Sequence, residues 1–306
     1  MNLYKFFFKL LLFIILTILG AIKTASAQVI FDNWGNSHLT ETLRGDTDSR
    51  GLIILTGKII SFKDNAPISY ASISVPSANC GTVADKDGNF YLKLNKGLLN
   101  DTIHVSALGF KTKSFCVKNI STVLTYNPMI TLTGRDNQLK EVVISARKIN
   151  VRNLGNTSRS KSISVGFPLK ALGSELGVRI ALGKKMVLLR SFSFNISQTK
   201  LDTCTFRLNI YALNNGMPAE NLLTQNILIG INKPGIYKID LLPYKLLMQG
   251  DVAVSLEWVA GKSSTNAGAV FFSASLLSSC YHHENTGADW TRIKGIGAGF
   301  NLQVED

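Results

Sequence analysis

The sequence has few of the residues that carry chemistry. Its four histidines and 20 acids are scattered along 306 residues, which leaves little material for a catalytic or metal constellation. No Gly-x-Ser-x-Gly, no His-Glu-x-x-His and no Cys-x-x-Cys occurs. Gly261-Lys262-Ser263 lacks the earlier glycine that a phosphate loop needs, so nucleotide chemistry of that type is excluded. Metal, cofactor and catalytic residues are therefore not expected, and the chain reads as a non-enzyme. Acids are also scarce relative to 33 lysines and arginines, giving a formal charge of +13. Such a balance favours acidic surfaces such as anionic glycans, without choosing one. No recognisable nucleic-acid motif accompanies the charge, so nucleic acid is not expected as a partner.

Long apolar runs are missing everywhere except at the start. Lys5 and Lys9 precede the apolar stretch Leu10 to Ile22, and Ala25-Ser26-Ala27 has the small-residue pattern of a signal-peptide cleavage site. The expectation is residues 1–27 as signal peptide, with the mature chain starting at Gln28. An uncleaved anchor is the alternative, since Phe6 to Ile22 nearly reaches spanning length. No second such segment follows, so no transmembrane segment is expected after removal. Losing Lys5, Lys9 and Lys23 would take the charge from +13 to +10.

Cysteines number only four, in two pairs: Cys80 with Cys116, and Cys204 with Cys280. An exported protein permits a disulfide within each pair, and buried free thiols are the alternative.

What the sequence does have is period-two alternation. Gly81-Thr82-Val83-Ala84-Asp85-Lys86-Asp87-Gly88-Asn89-Phe90 is followed by Leu92 and Leu94 alternating with Tyr91, Lys93 and Asn95. Asp85 to Gly88 predicts a hairpin turn, with Asp bonding its own backbone and Gly accepting positive φ. A calcium loop is the rival, but Asn89 to Lys93 supplies none of the further oxygen ligands. Ala71, Ile73 and Val75 alternate with Tyr70, Ser72 and Ser74, and His104 falls on the outward phase of its strand. No helical period is evident, so seven short strands predict a sandwich.

Gly57-Lys58-Ile59-Ile60, Ala66-Pro67-Ile68-Ser69-Tyr70-Ala71-Ser72-Ile73, the Gly81-to-Phe90 stretch and Leu108-Gly109-Phe110 stand in one order. Residues 52 to 133 thereby resemble the carboxypeptidase-regulatory-like domain, a transthyretin-like sandwich common in Gram-negative envelope proteins and TonB-dependent receptors. The resemblance implies a fold and an envelope setting, and no chemistry. Leu139 to Ser145 is similar to the segment that follows this module in those receptors, where it pairs with the energising partner. The remaining chain is too short for a large barrel, so an edge strand of the first sandwich is expected there.

The domain reading is a polar lead at 28–51, a sandwich at 52–146, a basic linker at 147–164 and a second, jelly-roll-like sandwich at 165–306. Arg147, Lys148, Arg152, Arg159 and Lys161 among Asn, Ser and Gly mark the linker. His38-x-x-Glu41 and Ser158-x-x-Lys161 match enzyme spacings but lack every companion element. In the second sandwich, Phe206, Leu208 and Ile210 alternate with Arg207, Asn209 and Tyr211. Val252, Val254, Leu256 and Trp258 alternate with Ala253, Ser255 and Glu257, within eight or nine expected strands. Trp290 with Tyr281 is the candidate sugar platform, rimmed by Glu284 and Arg292. His282 and His283 point to opposite faces of a strand and cannot share a metal there. The function expected is an exported periplasmic or outer-membrane-associated adaptor or binding module. Its partner would be an envelope protein or an acidic glycan. The alternatives are a glycan-binding protein using the second sandwich, or an accessory of a TonB-linked uptake system.

Overall fold

The computed structural model describes residues 27–30, 51–135, 150–168, 172–262 and 269–306. The apolar start, His38, Glu41 and Leu139 to Ser145 lie outside the described residues. Strands occupy 63% of the described residues and helix 8%, so the fold is all-β and sandwich-like. No described helix is long and apolar enough to cross a membrane. A short strand, β1 (Ala27–Ile30), spans the boundary between what reads as the signal peptide and the polar lead.

The first domain holds seven strands: β2 (Leu52–Ser61), β3 (Ser72–Val75), β4 (Cys80–Val83), β5 (Asn89–Asn95), β6 (Thr102–Ser106), β7 (Lys113–Cys116) and β8 (Met129–Leu132). They form a three-stranded sheet, β5-β2-β8, facing a four-stranded one, β4-β3-β6-β7. Phe90, Leu92 and Leu94 bury from one sheet and Ala71, Ile73 and Val75 from the other, so the alternation holds on both layers. Asp85 Oδ1 accepts from the Asp87 and Asn89 N–H groups, each at 2.9 Å, and Gly88 has φ +79°. The turn is therefore real, but β4 and β5 belong to opposite sheets. It is a crossover between layers and not the expected hairpin. Both Asp85 oxygens accept from backbone or Asn89, which leaves the turn self-satisfied. The expectation of no helical period was wrong as well: α1 (Val117–Tyr126) buries Val117, Ile120 and Leu124, spaced three and four apart.

The second domain contributes β9 (Val151–Gly155), β10 (Ile163–Pro168), β11 (Glu175–Thr199), β12 (Thr203–Asn214), β13 (Met217–Asn221), β14 (Ile227–Ile231) and β15 (Gly235–Asp240). It continues with β16 (Leu247–Lys262), β17 (Ala269–His283), β18 (Thr291–Ala298) and β19 (Asn301–Glu305). From β10 onward that makes ten described strands against eight or nine expected. The main path runs β1-β10-β17-β11-β16-β12-β13. Strand β11 pairs with β16 over its first half and with β15 and β19 over its second. Register shifts around Gly183, at φ +95°, let one long strand serve both regions. The core is aromatic: Phe272 and Phe300 meet nearly perpendicular at 5.2 Å, beside Phe192, Phe194 and Phe206.

Both ends of the described part of the expected 147–164 linker are sheet. β9 pairs with β19, and β10 pairs with β17. Between them the small polar residues bond the same neighbours: Asn156 Nδ2 donates to Ser275 Oγ and Ser158 Oγ to the Ala274 carbonyl, both at 2.7 Å. Polar composition marks side chains that tie down an edge here, not a solvated tether.

All four cysteines are free. Cys80 on β4 and Cys116 on β7 stand on opposite edges of their sheet. Three strand spacings put them roughly 14 Å apart, about twice what a disulfide spans. Cys204 and Cys280 are likewise three strands apart, on β12 and β17. Both are buried thiols; burial pushes Cys280 up to about 12 and Cys204 higher still.

Candidate functional site

Backbone register lines up one charged row across four strands. Glu175 on β11 is opposite His283 on β17 and Glu257 on β16, and Glu257 is opposite Arg207 on β12. The next row of the same face carries Ser255 and Asn209, and the one after it Tyr211. On sequence these are the outward phases of amphipathic strands, yet Glu175 is 1% exposed, Glu257 3% and Arg207 5%. The first domain covers them.

The row is hydrogen-bonded throughout. Glu175 accepts from Asn209 Nδ2 at 2.9 Å, Tyr211 Oη at 3.0 Å and Ser255 Oγ, and pairs with His283 Nε2 at 2.9 Å. Asn209 Nδ2 also donates to Glu257 at 2.8 Å, so one amide sits between the two carboxylates. Arg207 donates to Glu257 Oε2 through Nε at 2.9 Å and Nη2 at 2.7 Å. Buried charges need such partners, because an unpaired one costs several kcal/mol.

Protonation follows from these contacts. Burial opposes charge on His283, and the Glu175 carboxylate outweighs it, so the imidazole sits above its ordinary value. Its Nδ1 lies 2.6 Å from the Asn285 carbonyl, which can only accept, so Nδ1 carries a proton. Burial likewise opposes charge on Glu175, and His283, Ser255 and Asn209 hold it below the usual carboxylate range. Burial pushes Glu257 upward, Arg207 pulls it down, and the Glu175 charge leaves it raised. His282, one residue away, sits at about 4 because of burial; its Nδ1 donates to the Glu175 carbonyl at 2.9 Å.

Arg207 also crosses to the first domain. Its Nη1 donates to the Tyr70 carbonyl at 2.6 Å and its Nη2 to Ser72 Oγ at 3.2 Å. Tyr70 has φ +57°, a left-handed conformation costly for a tyrosine. Asn285 Nδ2 donates to the Asn79 carbonyl at 2.9 Å. Glycines allow the close approach. A Cβ on Gly81 would fall 1.9 Å from the Thr286 carbonyl oxygen, and one on Gly109 2.7 Å from that of Thr224. Leu108 packs on the second domain's core while Phe110 packs on the first's.

A cleft of about 340 Å³ remains between the domains. The first domain lines it with Ser106, Thr112 and Arg135, and the second with Tyr211, Asn221 and Trp290 above the buried row. No cluster of His, Cys, Asp and Glu among the described residues is arranged to hold a metal.

The residues singled out on sequence separate here. Trp290 lines the cleft, half-buried, with near-perpendicular contacts to His283 at 4.3 Å and Tyr211 at 5.5 Å. Tyr281 is buried and not an exposed platform; its hydroxyl donates to the Gly216 carbonyl at 2.7 Å. Glu284 and Arg292 are exposed and do not line the cleft. The buried row was missed. Its only local trace is Arg, Asn and Tyr on one strand phase and Ser and Glu on another, which reads equally well as a solvated face.

Residues 55–144 match the family described as the CarboxypepD_reg-like domain. The first sandwich is a carboxypeptidase-regulatory-like domain. That domain is of regulatory and not catalytic type. It is the regulatory-like domain, through Tyr70, Ser72 and Asn79, that caps the charged row. No curated protein matches the chain. Solved structures are similar only at a distance. The cysteine protease and lectin-like domains of Cwp84, a surface layer associated protein of Clostridium difficile, share 10% identity over 74% of this chain and 46% of that one, with a TM-score of 0.39. A clostridial Cwp84 structure after propeptide cleavage gives 10%, 74%, 51% and 0.36. The infectious bursal disease virus Gx strain structure gives 12%, 83%, 52% and 0.26. The chain thus spans about half the length of the solved chains it matches, and no activity carries over from them.

Proposed function

We propose that this chain is a non-catalytic, exported envelope module whose two domains form one rigid adaptor for a partner protein. The Arg207 bridge carries this reading. It neutralises Glu257 inside the second domain and holds the Tyr70 carbonyl of the first, so neither domain buries its groups fully alone. Export to the periplasm or outer membrane is supported by the apolar start ending in Ala25-Ser26-Ala27. Against catalysis stands the engagement of the carboxylates. Four partners fix Glu175 through both oxygens, and Arg207 and Asn209 hold Glu257 through Oε2, so each acid already serves a structural pair.

Replacing the pair together tests the adaptor role. Arg207→Met alone strands a buried carboxylate and should cost about 3–5 kcal/mol. Arg207→Met with Glu257→Leu removes both charges, so the second domain should keep its fold while losing its hold on Tyr70. Cross-linking in the native envelope should then trap a reproducible protein partner with the wild-type chain and not with the double variant. Equal trapping by both would show that the rigid pairing is irrelevant to the role.

A further inference from the structure

We infer that the interdomain cleft is a binding site for a neutral, hydroxyl-rich ring, the terminal one or two units of an uncharged glycan. This stands apart from the adaptor reading. Size is the first ground: about 340 Å³ lies at the small end of ligand pockets, enough for one or two hexose rings and too little for a folded segment.

Charge is the second. The chain carries +13, yet the cleft floor is balanced, with Glu175 and Glu257 against His283 and Arg207. Every one of those charges is engaged within the protein. An acidic ligand entering here would meet two buried carboxylates and no free cation in the floor. A cationic ligand would meet Glu175, whose two oxygens already accept protein donors, and Glu257, whose charge the Arg207 guanidinium offsets through Oε2. Arg135 and Glu220, both exposed, add one charge of each sign to the lining. The charges lining the cleft thus balance although the chain is basic, and its floor offers the acidic glycan expected from composition no unpaired cation.

Chemistry of the walls is the third. Trp290 offers an apolar ring, held in place by His283 and Tyr211 and not swinging free. Around it stand short neutral donors and acceptors: Ser106, Thr112, Asn221 and the Tyr211 hydroxyl. A fixed aromatic among hydroxyls and amides, with no net charge, matches a sugar ring, which has apolar C–H faces and hydroxyls at its edge.

The test uses the full chain with cellobiose and maltose as neutral probes, and glucuronic acid and glucosamine as charged ones. Saturation-transfer NMR should show saturable binding of a neutral disaccharide with a Kd on the order of 1 mM. The charged sugars should bind at least about tenfold more weakly. Thr112→Trp, on an exposed residue outside the buried row, should fill the cleft and abolish the signal with an unchanged Tm. Absence of saturable binding by either disaccharide would overturn the proposal, leaving the cleft a hydrated seam. So would equal binding of glucuronic acid, or binding that survives Thr112→Trp. None of these results bears on cross-linking to a protein partner, so the two proposals fail separately.

Discussion

His282 and His283 are neighbours on β17 and titrate in opposite senses. His283 faces Glu175 with its pKa raised, so its contribution is complete below the unfolded value near 6.5 and fades as pH rises through the folded one. His282 is buried and neutral, with a pKa of about 4 against 6.5 unfolded. Between those values the unfolded chain binds the extra proton, so His282 makes stability fall as pH falls from 6.5 towards 4. Integrated over that window, one proton is worth about 3 kcal/mol. Glu175, held below its usual range, adds a loss only further into acid, below about 4.5. Glu257, held above its usual range, works the other way and adds stability as pH falls towards 4.5, offsetting part of that loss. His282→Asn keeps a donor for the Glu175 carbonyl and removes the titration, so Tm measured from pH 7 to 4.5 should fall less steeply than in the wild type. Parallel Tm curves would show that His282 is not the group being charged.

Elements show what the sequence could and could not reveal. The alternation of Phe90, Leu92 and Leu94 predicts β5 correctly, because one face of that strand meets its own domain's core and the other meets solvent. The same pattern on β12 and β16 misleads. Arg207, Asn209 and Glu257 occupy outward phases, but the face is roofed by residues more than a hundred positions earlier, and no local signal reports that. Helix α1 is hidden for a different reason. Val, Ile and Thr fill it, and β-branched residues read as strand although their spacing is helical. The turn at Asp85 was legible from its chemistry, whereas which sheet each flanking strand joins was not. Gly81 shows the limit best. It reads as part of a strand motif within one domain, but its bare Cα lies against the Thr286 carbonyl of the other. Gly81→Ala should thus lower the Tm of the whole chain by an overpacking cost of about 1–3 kcal/mol. Gly230→Ala, with nothing within 4 Å of the new carbon, is the matched control and should leave Tm nearly unchanged. Equal effects of the two would mean the interface yields to an added methyl.

At the scale of the whole molecule, two cores are joined by an interface of hydrogen bonds and packed side chains. The sequence alone predicts two resistant fragments with a first cut in the basic stretch 147–164. Arg147 and Lys148 lie outside the described residues, and the described part of that stretch is held to the sheet. Arg152 sits in β9 with its guanidinium on Asp306 at 3.2 Å, and Arg159 lies between Ser158 and Ser160, both bonded to β17. Cutting at those residues would have to open a sheet edge and would not merely sever a tether. Even a cut elsewhere between the domains leaves Arg207 on Tyr70, Asn285 on Asn79 and Leu108 in the second core. Limited trypsin treatment should therefore give material that elutes from gel filtration at the size of the whole described body, whatever bands a denaturing gel shows. Calorimetry should show one unfolding transition, because losing the first domain exposes the Arg207–Glu257 pair and frees the groups it was bonding. Adding Arg207→Met and Glu257→Leu should split that transition in two and let the proteolytic fragments part. Separation of wild-type fragments under native conditions would show that the interface contributes too little to hold the domains, and the rigid-body reading would go with it.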